Sequence, residues 1–208
     1  MPETQTPQWT RDTPWRQGQV LGIEAAESLG LEHPDCPADT AVVVISHDCD
    51  LANDNLMAEP FVEVVIGRKV ATPKGDFSWG KSPRTLHLEY NQNGVQAFLE
   101  LVATAKLCIE KNLLAPFVPD AAFQLSPKSL SGLRYWLSVR YNRAAYSDQF
   151  VDRMKGAKLD EKLASRIRKY PAISTIFFDV DRGEEKEHTE DSPHELSIIL
   201  AYVPGDDP

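Results

Sequence analysis

AVVVISHDCDLAND, residues 41–54, divides between two chemistries. Val42, Val43, Val44 and Ile45 are β-branched, stiff about χ1, and suited to a pleated strand. Because the run is apolar at every position, both faces of that strand should be covered. It stops at Ser46, and His47, Asp48, Cys49 and Asp50 follow directly. Each of these four can bind a metal or move a proton, and a rigid sheet can aim them into a cleft. If the backbone stays extended, His47 and Cys49 face one side, Asp48 and Asp50 the other. The carboxylate pair could then hold Mg²⁺ or Mn²⁺ against a phosphate. The His/Cys pair suits Zn²⁺, the lesser candidate, or a thiolate nucleophile beside its base. Residues two apart rarely meet in that second geometry. The plain alternative is a loop in which Asp48 or Asp50 accepts backbone amides and Cys49 is buried.

Working outward, FVEVVI (residues 61–66) reads as a second strand with Glu63 as its one charged position. A long loop with three glycines and two prolines follows, over residues 67–84. Phe77 and Trp79 at its tip suggest a lid or a contact patch. Leu86, Leu88 and Tyr90 then alternate with His87 and Glu89, and Asn93-Gly94 predicts a hairpin turn into residues 95–102. His87 falls on the polar face, where a solvated histidine is expected; it is also the best distant candidate to join His47. Residues 103–115 match both the strand and the helix period, with Cys108 expected as a buried thiol. Upstream, a short strand and a helix over residues 23–29 with Gly30 as C-cap are expected. Residues 1–14 read as a mobile arm that Trp9 and Trp15 could pin to the body.

Downstream, Ser126-Pro127 is an N-cap with a first-turn proline, opening a helix to about Tyr141. Leu130, Leu133, Leu137 and Tyr141 recur along it at helical spacing, beside Trp136. Ser147 starts a second helix, and Leu159, Leu163, Ile167 and Tyr170 mark a third that ends at Pro171. Residues 173–180 and 195–203 are strong β runs joined by an acidic tip, expected as an antiparallel hairpin. Asp179-Val180-Asp181 resembles a metal-binding pair but reads as a solvated turn. Strands, then helices, then a returning hairpin predict an α+β fold. After the arm, residues 15–208 read as one compact domain. Its β-rich half, with a small-barrel likeness, covers about 15–115; the helices and hairpin cover about 126–203.

Composition narrows the function classes. No apolar run reaches the roughly 18–20 residues that span a bilayer, and the N-terminal residues lack the pattern of a secretory signal. Three widely spaced cysteines, Cys36, Cys49 and Cys108, suit a reducing compartment, so a cytoplasmic protein is expected. The net charge of −9 conceals blocks of opposite sign: residues 1–67 carry twelve acids and two bases, residues 128–170 eleven bases and four acids. Such blocks can neutralise one another across the fold or between subunits, or the basic one can meet a phosphate-bearing partner. Overall acidity favours the first, since it opposes non-specific nucleic-acid affinity. Within the basic block, Arg134, Arg140 and Arg143 lie among aromatics that include Trp136, a pattern able to grip phosphate or stack on bases. A helix that packs its aromatics inward while its arginines pair with acids is the favoured reading. Glycine-rich phosphate loops, G-x-S-x-G and H-E-x-x-H are all missing from the sequence.

Taken together, GQVL, VVVISHDCDLA, EPFVEVVIG and RYWLSVRYNRAAYSDQF resemble a family of bacterial proteins that carries no assigned activity. GQVL followed by VVVIS also resembles, over residues 17–67, the small barrel of PemK/MazF-type ribonuclease toxins. Residues 47–50 and the helical half have no counterpart there. Two functions are therefore expected, in order. The first is a non-catalytic interaction protein of a multi-component bacterial system, such as phage defence or a mobile element, with a protein partner or a second copy of itself. The alternative is a divalent-metal-dependent phosphodiester hydrolase centred on His47, Asp48 and Asp50.

Overall fold

The β-branched run forms a strand, Thr40–Val44 (β1), preceded by the helix Ile23–Ser28 (α1) and followed by one helical turn, Asp48–Leu51 (α2). The computed structural model describes residues 8–141, 146–167, 170, 173–183 and 192–202. Residues 1–7 of the expected arm, Arg143, Pro171 and the acidic stretch 184–191 lie outside them. The chain forms two units, residues 1–142 and 143–208.

In the first unit Phe61–Val70 (β2), Thr85–Gln92 (β3), Val95–Glu110 (β4) and Phe123–Gln124 (β5) join β1 in a curled half-barrel sheet. Its order is β1-β2-β4-β3-β5, antiparallel throughout. The predicted hairpin between β3 and β4 turns on Asn93 and Gly94, both at positive φ. Residues 103–110 resolve as strand, because β4 continues past its pairing with β3 to meet the first half of β2. Val65 pairs with Lys106 but Gly67 with Leu101, so β4 carries extra residues at that point. A bulge of this kind bends the strand and deepens the twist, which curls the sheet. The bend brings two backbones close: a Cβ on Gly67 would sit 2.5 Å from the carbonyl oxygen of Glu100. Only glycine fits there.

Although β1 ends the sheet order, its outer edge is not bare. Gly18 and Leu21 donate to the carbonyls of Val44 and Val42, and Val44 donates to Gln19, all within 2.9 Å. Both faces of β1 are covered as well. Val43 and Ile45 join Leu86, Leu88, Tyr90, Leu99 and Leu101 in one core. Val42 and Val44 join Val62, Val64, Trp9, Trp15, Leu51 and Leu114 in the other. Each buried aliphatic side chain contributes about 1.5–3 kcal/mol, so this short run anchors both layers.

Several expectations are decided here. Trp9 and Trp15 are buried, so the described part of the arm, from residue 8, is pinned to the body. The helix Pro127–Tyr141 (α4) belongs to the β-rich unit, where Leu133 and Trp136 enter the first core; Tyr141 is exposed. Cys108 is exposed, because only Ile109 of its neighbours turns inward on β4. After β4 the chain makes a short helix, Lys111–Leu114 (α3), whose Lys111 is fully buried.

The second unit contains the helices Asp148–Gly156 (α5) and Leu159–Ile167 (α6) and the antiparallel hairpin of Ile173–Val180 (β6) with Leu196–Tyr202 (β7). Ser147 caps α5 as expected, its hydroxyl accepting from the Phe150 amide. The expected solvated turn at Asp181 is instead buried. Asp181 sits at positive φ, and its carboxylate takes the Glu195 amide at 2.8 Å and His194 Nδ1 at 2.7 Å. The sequence-based prediction of an α+β fold, β-rich first and ending in a hairpin, therefore holds. Among the described residues no helix is long and apolar enough to cross a membrane.

Candidate functional site

The facing pairs of residues 46–50 depended on an extended strand, but β1 ends at Val44 and residues 48–51 form a helical turn. Ser46 is buried, and its hydroxyl accepts from the Glu63 amide at 2.8 Å, so the strand is tied off there. His47 becomes the N-cap of α2, its ring Nδ1 accepting from the Cys49 amide at 3.3 Å. On a helical turn, residues two apart point about 200° away from each other, so Asp48 and Asp50 diverge. Two diverging carboxylates do not chelate one Mg²⁺, Mn²⁺ or Zn²⁺ ion. Among the described residues no group of three or more His, Cys, Asp or Glu side chains is placed to hold a metal ion.

Asp48 is held by two neighbours. Its Oδ1 accepts from the Gln17 amide at 2.8 Å, and its Oδ2 lies 3.6 Å from Arg134 Nη2. Gln17 completes the mesh: its Nε2 donates to the Ile45 carbonyl and its Oε1 accepts from Arg134 Nε, both at 2.8 Å. One carboxylate thus ties the segment before α1, the end of β1 and helix α4 together. His47, Cys49 and Asp50 are exposed around this brace.

The carbonyl end of the turn is held from below. Lys111 Nζ donates to the carbonyls of Asp50 at 2.6 Å and Asn53 at 2.8 Å. Trp9 Nε1 donates to the Leu51 carbonyl at 2.9 Å. These are the orphan acceptors that every helix end leaves, and a cation is well placed among them. Burial pushes the Lys111 pKa down, while Glu59, Asp50 and Asp54 pull it up; the balance is a lowered value.

The other candidates separate. His87 is buried rather than solvated, and its ring meets Lys74, Glu100 and Phe77 rather than His47. Its Nδ1 accepts from the Lys74 amide at 3.0 Å, so Nε2 carries the proton toward Glu100 Oε2, also at 3.0 Å. Arg68 meets the same carboxylate at 2.7 Å. Desolvation raises the Glu100 pKa, but the hydrogen bonds from His87 and Arg68 outweigh it and leave it below the ordinary carboxylate value. Trp136, 1% exposed, packs in the core and offers no face for a base to stack on. Arg134 is committed to Asp48 and Gln17, and Arg140 is half-buried on the same helix.

Sequence reasoning missed Gln17 and Lys111. Gln17 carries no motif, and its part is set by a contact 31 residues away. Lys111 had one signal, a lysine immediately after an apolar strand, which is ordinary in a sequence and costly in a core unless its charge is met. Comparison of the chain with family models, with curated proteins and with solved structures finds no significant match.

Proposed function

We propose that the chain is a non-catalytic interaction protein that works within a larger assembly. The observation that carries this reading is the employment of Asp48. The carboxylate best placed to serve chemistry at the strand end is engaged by Gln17 and Arg134, joining three segments of the fold. To bind a cation it would have to release both. Large apolar side chains meanwhile stand in solvent on the first unit, among them Met57 at 94% and Val118 at 69% exposure. Exposed apolar surface is commoner on proteins that meet a partner. Co-purification of the tagged chain from its native cell tests the reading. A stoichiometric protein partner is the expected result. A chain that purifies alone, with bound Mg²⁺ or Mn²⁺ and metal-dependent cleavage of a phosphodiester, would overturn it in favour of a hydrolase centred on His47, Asp48 and Asp50.

A further inference from the structure

In the second unit the outer edge of β7 is exposed and has no third strand beside it among the described residues. The Asp181 amide donates to the Glu195 carbonyl at 2.8 Å, which fixes the phase of the hairpin's ladder. Hydrogen-bonded pairs recur at every second residue, so Asp179 with Ser197 and Phe177 with Ile199 exchange bonds across the hairpin. The backbone groups of Leu196, Ile198 and Leu200 therefore turn outward from β7, and those of Phe178 outward from β6. One contact agrees with this phase: the Phe178 carbonyl accepts from the Tyr146 hydroxyl at 3.0 Å. A side chain thus stands at the β6 edge. On the β7 side, the N–H and C=O groups of Leu196, Ile198 and Leu200 meet no hydrogen-bond partner among the described residues.

The side chains along this edge are apolar and stand in solvent. Ile198, Ile199 and Leu200 are 43%, 57% and 50% exposed, and Tyr202 more so. Paired residues share a face, so the exposed Phe177 widens the patch beside Ile199. The strand itself, LSIILAY, includes no charge and no proline, the usual means by which an edge strand turns other strands away. Two strands alone are marginal in water, and further strands stabilise them. Laid antiparallel on itself about Ile199, β7 is its own complement. Ile198 then faces Leu200 of the second copy, Leu196 faces Tyr202 of the second copy, and no like charges meet. That matters for a chain of net charge −9, whose copies repel one another overall and can approach most easily through an uncharged strand. A two-fold pairing also closes, because each β7 edge is used once and only the β6 edges remain outside.

We propose that β7 is a self-association surface: two copies of the chain pair their β7 strands antiparallel about Ile199 and build a four-stranded sheet. Main-chain hydrogen bonds at Leu196, Ile198 and Leu200 hold the pair, and the apolar side chains along the edge leave water. This goes beyond the interaction reading above and does not depend on it. Sedimentation velocity of the full chain over a range of concentrations is the test, with monomer giving way to dimer as the expected result. Ile198→Lys should weaken the dimer at least about tenfold, because it sets an ammonium against Leu200 of the second copy. Ile23→Lys, at an exposed apolar residue of α1, should leave the dimer unchanged. Cross-linking reads the register, in a chain whose Cys36, Cys49 and Cys108 are replaced by serine. Residue 199 lies opposite itself in a pair without backbone bonds, where the Cβ atoms come within reach of a disulfide. Residue 197, on the same face, is offset from its counterpart by four residues, about 13 Å. Mild oxidation should therefore link Ile199→Cys into a dimer and leave Ser197→Cys unlinked. Both positions are exposed, so this measurement stands even if Ile198→Lys disturbs the hairpin. A chain that is monomeric at every concentration, a dimer indifferent to Ile198→Lys, or equal cross-linking by the two cysteines would overturn the proposal. A monomer that still co-purifies with a different protein would remove this surface and leave the interaction reading standing.

Discussion

Between residues 46 and 54 four reactive side chains crowd one turn, whereas the edge of β3 shows nothing but an alternating strand. In the folded chain their standing reverses. The turn is tied off by Ser46, capped by His47, braced through Asp48 and held from below by Lys111 and Trp9. The β3 edge carries backbone donors and acceptors at His87 and Glu89 that no described residue meets. What distinguishes the two regions is hydrogen-bonding capacity, met at the turn and unmet at the β3 edge, and not the chemical reactivity of the residues. Buried polar groups are nearly always paired, so an unpaired row at a sheet edge carries information that residue identity does not.

Removing what holds the turn sharpens this contrast most. Lys111→Met keeps the length of the side chain but leaves the Asn53 carbonyl without its donor and the Asp50 carbonyl with only a backbone amide. A loss of about 2–3 kcal/mol is expected, since a buried acceptor stripped of a charged partner is expensive. Urea denaturation measures it. A change close to zero would mean that the ammonium contributes nothing to the turn.

A smaller effect is expected at the far face of β3, where Glu100 is held by His87 and Arg68. The Glu100 pKa is lowered in the folded chain, so its contribution is present above the unfolded carboxylate value of about 4.3. That contribution disappears as pH falls through the lowered folded value. Glu100→Gln should therefore cost about 1 kcal/mol at pH near 7 and almost nothing near pH 2. Denaturation midpoints of the two proteins should converge on acidification. Parallel curves would show that the charge of Glu100 is not what His87 and Arg68 recognise.

Much of the framework was legible in residues 41–54 and 85–102. β-branched runs and an Asn-Gly turn act through local sterics, so β1 and the β3–β4 hairpin could be placed before any contact was known. Ser126-Pro127 and Ser147 set the starts of α4 and α5 for the same reason. The stretch 103–115 could not be resolved, because its strand character comes from pairing with β2, more than forty residues earlier. The candidate site was half legible. The sequence marked residues 47–50 as special and offered Asp48 or Asp50 as an acceptor of backbone amides, but the donor, Gln17, and the ion-pair partner of Asp48, Arg134, come from distant segments. The expected facing pairs failed for one reason: the strand ends at Val44, and a helical turn over residues 48–51 scatters what a strand would have aligned. The β3 edge was invisible, because an unpaired backbone group has no residue type.

The brace at Asp48 is the centre of this account, and the sign of one stability change tests it. The measurement is the unfolding free energy of Asp48→Asn against the parent chain, with and without Mn²⁺. A structural carboxylate that accepts the Gln17 amide and faces Arg134 should be missed, so the variant should lose about 1 kcal/mol, with Mn²⁺ leaving both proteins unchanged. Carboxylates gathered to bind a cation repel one another when it is absent, so at a metal site the same substitution would stabilise the metal-free chain. A gain in stability for Asp48→Asn, together with stabilisation of the parent alone by Mn²⁺, would contradict the brace and reinstate residues 47–50 as a metal centre.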